Sequence, residues 1–121
     1  MLLDSNILIG YLNGDPIIGS TLRSWREAGA VLFISHISVI EILSYPTLSA
    51  QEIVAIEDFL SDFIVIPLDM QVSRHAAEIR RLYKLLTPDA IIVGSAIANN
   101  LPLATRDKKI RTIPGILHAE I

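Results

Sequence analysis

The chain contains no cysteine, so it forms no disulfide framework and offers no thiolate to a metal. Its three histidines, His36, His75 and His118, are scattered without metal-ligand spacing, which leaves carboxylates as the side chains from which a metal site could be built. No run approaches the ~18 apolar residues of a membrane span. The apolar opening "MLLDSNILIGYL" has no basic leader and is interrupted by Asp4 and Asn6, so the chain reads as soluble, cytoplasmic and unprocessed. Positive charge is also scarce. A formal net charge of −3 counts against a generic basic nucleic-acid binder. Repeats, low-complexity tracts and linkers are absent.

A length of 121 residues, about half of them apolar, suits one compact domain spanning 1–121 and is too short for two ordinary ones. The mean hydropathy of +0.50 is high for so small a chain. Some apolar surface is therefore expected to remain outside after folding and to be covered by another chain, as a homodimer or with an obligate partner.

Strand patterns alternate with helix patterns. "MLLD", "VLFIS" (Val31 to Ser35), "FIVIPL" (Phe63 to Leu68) and "LPLAT" (Leu101 to Thr105) read as strands, with "GILHAEI" as a candidate last one. Asp15 and Pro16 start a helix that carries Leu22 and Trp25 and ends at Gly29, and Ser49 with Glu52 forms a capping box for another. Val72, Ala76, Ile79, Tyr83 and Leu86 recur at helical spacing, and "TPDAIIVGSAIA" reads as a nearly all-apolar helix. Strand followed by helix, repeated, predicts an α/β fold: a three-layer α/β/α sandwich around a mostly parallel sheet.

In such a sheet the strand C-termini and the helix N-termini share one edge, where ligands bind. Asp4 ends the first strand, Asp107 follows "LPLAT" by two residues, and Asp89 opens the helix that leads into that strand. Glu41, in "SHISVIEILSYP", lies close enough to the start of its helix to reach back. Each acid has a local explanation. Asp4 can cap a helix, Ser38 and Glu41 match a capping box, Asp107 suits a turn, and Thr87, Pro88 and Asp89 suit a helix start. Together, four acids on the one edge where α/β proteins build sites call for a positive neutraliser. With oxygen donors only, that points to Mg²⁺ or Mn²⁺.

In order and spacing these segments resemble the PIN domain family of metal-dependent nucleases and, in size, its VapC-type toxins from toxin–antitoxin pairs. "LLDSNILI" resembles the family's first acidic segment, "SVIEIL" the second, "TPDAIIVGSAI" the third and "LATRDKKI" the fourth, with Thr105 at the usual hydroxyl position. Lys109 stands where many relatives carry a further acid, which leaves a second metal position one carboxylate short. The resemblance implies an Mg²⁺- or Mn²⁺-dependent endoribonuclease. Asp4, Glu41, Asp89 and Asp107 would be its catalytic and metal-binding acids, and Ser5, Asn6 and Thr105 would support them. It also implies a small antitoxin partner, with the helix after Ser49 and the helix of Trp25 offering a groove for its peptide.

Arg106, Lys108, Lys109 and Arg111 beside Asp107 are candidate contacts to RNA phosphates; Arg80, Arg81 and Lys84 form a weaker patch. Competing α/β classes fit less well. A receiver-type phosphoacceptor domain would carry paired acids after its first strand, and a haloacid-dehalogenase-like phosphatase would carry D-x-D, where this chain has "DSN". A PIN-like domain that only binds partners is a third alternative. The hydropathy generates one prediction independent of all these: light scattering at micromolar concentration gives the mass of two chains, and a clean monomer that binds no apolar dye removes its basis.

Overall fold

A computed structural model describes residues 1–121. The chain runs β1 (Leu2–Leu3), α1 (Ser5–Leu12), α2 (Pro16–Glu27), β2 (Phe33–Ser35), α3 (His36–Leu43), α4 (Ala50–Leu60), β3 (Ile64–Ile66), α5 (Met70–Tyr83), α6 (Thr87–Ala98), β4 (Leu103–Ala104) and α7 (Lys108–Arg111). The four strands form one sheet in the order β3-β2-β1-β4, and every pairing is parallel. Helices cover both faces, which is the three-layer α/β/α sandwich expected from the alternation.

Side chains alternate across the strands and sort the core into two halves. Leu2, Ile66 and Leu103 pack with Ala76, Ile79, Ile92, Val93 and Ala96 of α5 and α6. Leu3, Ile34 and Ala104 pack with Ile7, Leu8, Ile18, Leu22, Ile42 and Leu60 of α1 to α4. Strand order decides where a site can form. From β1 the chain moves outward to β2 and β3, then crosses back to place β4 on the other side of β1. The reversal makes the C-terminal ends of β1 and β4 the topological switch point, the usual ligand position in an open parallel sheet.

Local signals account for most boundaries. Asp15 accepts hydrogen bonds from Ile17 N–H and Ile18 N–H, and Gly29, at φ +83, follows the end of α2. Ser49 and Glu52 form the reciprocal capping box on α4.

Four expectations are corrected. Leu86 is off the stripe of α5, because Lys84 adopts the left-handed conformation at φ 56 and ends the helix; Leu85 turns inward while Leu86 is 71% exposed. Thr87 does not cap α6, whose flanking residue is Leu86 with no side-chain cap. Ser38 and Glu41 are no capping box, since Ser35 caps α3. "GILHAEI" contributes only a single bridge, His118 beside Leu103.

Helices α5 and α6 meet at a glycine. A Cβ on Gly94 would lie 2.7 Å from the backbone nitrogen of Ala76 and 3.0 Å from its Cα, and backbone cannot step aside as a side-chain tip can. Gly19, inside α2, has nothing within 4 Å of such a Cβ. Gly94→Ala is therefore expected to destabilise the fold by about 1–3 kcal/mol through overpacking, whereas Gly19→Ala stabilises it by up to about 1 kcal/mol through helix propensity. Chemical denaturation distinguishes the two, and equal effects would contradict this packing.

Candidate active site

One buried carboxylate stands where the C-terminal ends of β1 and β4 meet. Asp4, directly after β1, is 5% exposed, and its own N–H bonds to Ala104 O at 2.9 Å, continuing the β1–β4 ladder. Oδ1 accepts from Ser5 N–H at 2.7 Å, which makes Asp4 the cap of α1. Oδ2 accepts from Thr105 Oγ1 at 2.6 Å. Asp4 is thus both a helix cap and a site residue, because a cap needs one oxygen and leaves the other.

The other predicted residues assemble around it. Thr105 Oγ1 accepts Asp107 N–H at 3.0 Å and the side-chain amide of Asn6 at 3.4 Å, while Asn6 Oδ1 accepts Arg106 N–H at 3.3 Å. Ser5 Oγ donates to Glu41 Oε1 at 3.0 Å. Ser5 has one hydroxyl proton and spends it on Glu41, so its 2.8 Å contact with Ser38 Oγ must be donated by Ser38. Ser38 is fully buried and was absent from the expected set. Its spacing three residues before Glu41 on a helix places both on one face, a signal that the capping-box motif imitates.

Asp89 lies in the first turn of α6 and Asp107 caps α7 through Lys109 N–H at 2.9 Å. Charge repulsion ties these acids into one cluster. Burial, with the charges of Asp107 and Glu41, pushes the Asp89 carboxyl above the usual range, against a smaller opposing effect from Lys109. Asp4 is also pushed up, chiefly by burial, with its hydrogen bonds from Thr105 and Ser5 opposing and the charges of Asp89 and Asp107 adding. Asp89 is thus the hub, bearing the charges of Asp107 and Glu41, while Asp4 bears those of Asp89 and Asp107. As positioned, no three of them close around a common point.

The basic residues divide. Arg106 is bound to Asp15 at 2.8 Å, and Arg111 Nε donates to Thr105 O at 2.7 Å, so both are engaged within the chain. Lys108 and Lys109 are exposed on α7. The groove expected between the Trp25 helix and α4 exists as a cleft of about 210 Å³ lined by Tyr11, Leu22, Arg23, Arg26 and Phe59. A second, more apolar cleft of about 430 Å³ lies across α4, against Ile9, Leu12, Ile42 and Tyr45. Neither is lined by the four acids.

A parallel sheet with acids near its switch point defines an α/β protein whose ligand position falls on that edge, and the comparisons narrow the class. The PIN domain profile matches residues 1–116, and the chain belongs to the PIN domain family. It is similar to a toxin–antitoxin complex chain from Klebsiella pneumoniae at 30% identity, covering 99% of this chain and 98% of that one, with a TM-score of 0.83. The fold is shared with a chain of VapBC2 from Rickettsia felis bound to a promoter DNA fragment, at 23% identity, 98% and 96% coverage and a TM-score of 0.85. It is shared likewise with a chain of FitAcB from Neisseria gonorrhoeae, at 23% identity, 98% and 96% coverage and a TM-score of 0.79. No curated protein matches. No helix is long and apolar enough to cross a membrane.

The raised pKa values fix the sign of a pH effect. Asp4 and Asp89 bind protons more readily in the native chain than in the unfolded one, so stability from these groups is greatest below the ordinary aspartate range and is lost as pH rises through their raised pKa values. Asp89→Asn removes part of that loss. The metal-free variant should melt above wild type at neutral pH, with a flatter dependence on pH. Wild type should gain about 2.7 kcal/mol from Mn²⁺ at a hundredfold excess over its dissociation constant, and the variant should gain much less. Asp89 makes no cap bond, and its local role is a first-turn charge at the positive end of α6 that asparagine forfeits, so a variant that melts no higher than wild type and shows an identical Mn²⁺ response in scanning calorimetry would reduce Asp89 to a helix start.

Proposed function

We propose that the chain, as one PIN domain over 1–121, is a metal-dependent endoribonuclease and the toxin of a toxin–antitoxin pair acting in the cytoplasm. The observation that carries the reading is the hydrogen-bonded frame at the switch point, in which Thr105 joins Asp4 to the Asp107 backbone and Ser5 holds Glu41, with Asp89 repelled by its acidic neighbours and no cation in salt-bridge contact with any of the four acids. The donor set is all oxygen, which fits Mg²⁺ or Mn²⁺ and fits no soft metal. Family membership and the toxin–antitoxin complex that resembles this chain support the same assignment.

Asp4, Asp89 and Asp107 are the residues that would hold the ion. When bound, a divalent cation supplies charge neutralisation at the phosphate and a more acidic coordinated water. Glu41, fixed by Ser5 and through it by Ser38, orients the attacking water or helps hold a second ion. Thr105 and Asn6 keep Asp4 and the β4–α7 loop in register. Lys108 and Lys109 meet the RNA backbone, assisted by Arg106 and Arg111 where these are released from their internal partners. Nothing in this hydrolysis needs the 2′-hydroxyl, and RNA is favoured by the family. A second copy covers exposed apolar surface, and an antitoxin peptide takes the cleft between α2 and α4.

Total RNA incubated with the purified chain and Mg²⁺ or Mn²⁺, with fragment ends mapped, should yield 5′-phosphates. Asp4→Asn should abolish cleavage, and Thr105→Val should slow it about ten- to a hundredfold by freeing one oxygen of Asp4. Robust cleavage in excess EDTA would overturn the metal-dependent reading.

A further inference from the structure

Arg106 lies between Thr105 and Asp107, with its backbone N–H fastened to Asn6 Oδ1, so its main chain is part of the acid site. Its side chain is held elsewhere. Nη1 sits 2.8 Å from Oδ2 of Asp15, the molecule's one salt bridge. Asp15 divides its oxygens between two tasks: Oδ1 caps α2 through Ile17 N–H at 2.9 Å and Ile18 N–H at 3.1 Å, and Oδ2 takes the guanidinium.

As a stabilising contact this pair counts for little, since both side chains are partly exposed, at 37% for Arg106 and 28% for Asp15, and such pairs are screened by solvent. Where it leaves the charge matters more. A guanidinium released from Asp15 remains tethered beside Asp107, next to carboxylates that have no cationic partner of their own. Arginine forms bidentate pairs with carboxylates readily and cannot be deprotonated to escape them.

We propose that Asp15 is a positioning residue for the acid site: by holding Arg106 away from Asp107, Asp89 and Asp4, it keeps those carboxylates open to a divalent cation. The inference rests on the metal-site reading above and extends it to a residue on a different loop. Asp15 thus serves as an alternative anion for a cation that must stay near the phosphate path without occupying the metal's place.

The test is calorimetric titration of Mn²⁺ into wild type, Asp15→Asn, Arg106→Gln and the double variant, with melting followed in parallel. Asparagine preserves the cap, so Asp15→Asn should fold; Asp15→Ser, which also caps, carries the same expectation if it does not. Asp15→Asn should raise the Mn²⁺ dissociation constant about three- to tenfold, the scale of one unit charge a few ångströms from the ion. Arg106→Gln should bind Mn²⁺ at least as tightly as wild type, and the double variant should recover that affinity. Recovery is the discriminating result, because a loop merely loosened by loss of the ion pair would leave Arg106→Gln as weak as Asp15→Asn and the double variant no better. That pattern overturns the proposal. Equal Mn²⁺ affinity in wild type and Asp15→Asn overturns it while leaving the metal site intact, and no Mn²⁺ binding by wild type removes both.

Discussion

The hydrogen bond from Thr105 to Asp4 joins two residues 101 positions apart in the chain and closes the seam between β1 and β4. A carboxylate 5% exposed is tolerable only if its oxygens are occupied. One takes the N–H that opens α1 and the other takes the Thr105 hydroxyl. The same hydroxyl oxygen accepts the Asp107 N–H and the Asn6 amide. Remove that hydroxyl, and the first acid, the fourth acid and the loop between them lose their common reference point. The sheet order makes the bond possible, because only a β4 returning to the far side of β1 puts these ends together.

The remaining acids are delivered by packing. Asp89 is carried by α6, which is pressed onto α5 where Gly94 meets the Ala76 backbone. The turn between the two helices is short: Lys84 in a left-handed cap, Leu85 buried, Leu86 at the start of α6. Those constraints leave the first turn of α6 little freedom, so a carboxylate there meets its neighbours despite the repulsion. Glu41 is held differently, by a chain of hydroxyls from Ser38 through Ser5. An apolar floor and a hydroxyl lattice therefore hold like charges together, a cost the fold bears unless a cation relieves it.

The positive side chains show why a sequence cluster is not a surface patch. Arg106, Lys108, Lys109 and Arg111 are near neighbours in the chain, yet they have separate roles in the fold. Arg106 faces Asp15, Arg111 grips the Thr105 carbonyl, and only the lysines stand free in solvent. A short turn of helix after Asp107 is enough to send successive side chains in different directions.

By itself the sequence determined the alternation of strands and helices, and through it the parallel sheet and the edge on which Asp4, Glu41, Asp89 and Asp107 gather. Apolar periodicity and capping residues are local properties, legible within a few residues, and the caps at Asp15 and Ser49 lie where the sequence puts them. The motif order was legible too, since it follows the order of the strands. Other features were decided only by tertiary structure. Ser38 looked like a cap and became a hydroxyl donor to Ser5, Asp15 is the cap it looked like and is a partner for Arg106 as well, and Thr87 looked like a cap and caps nothing. A polar side chain next to a helix start satisfies the same sequence rule whether it turns to its own backbone or to a group a hundred residues away. The choice is made by what the folded sheet brings within 3 Å or so of its oxygen, and no local pattern records that.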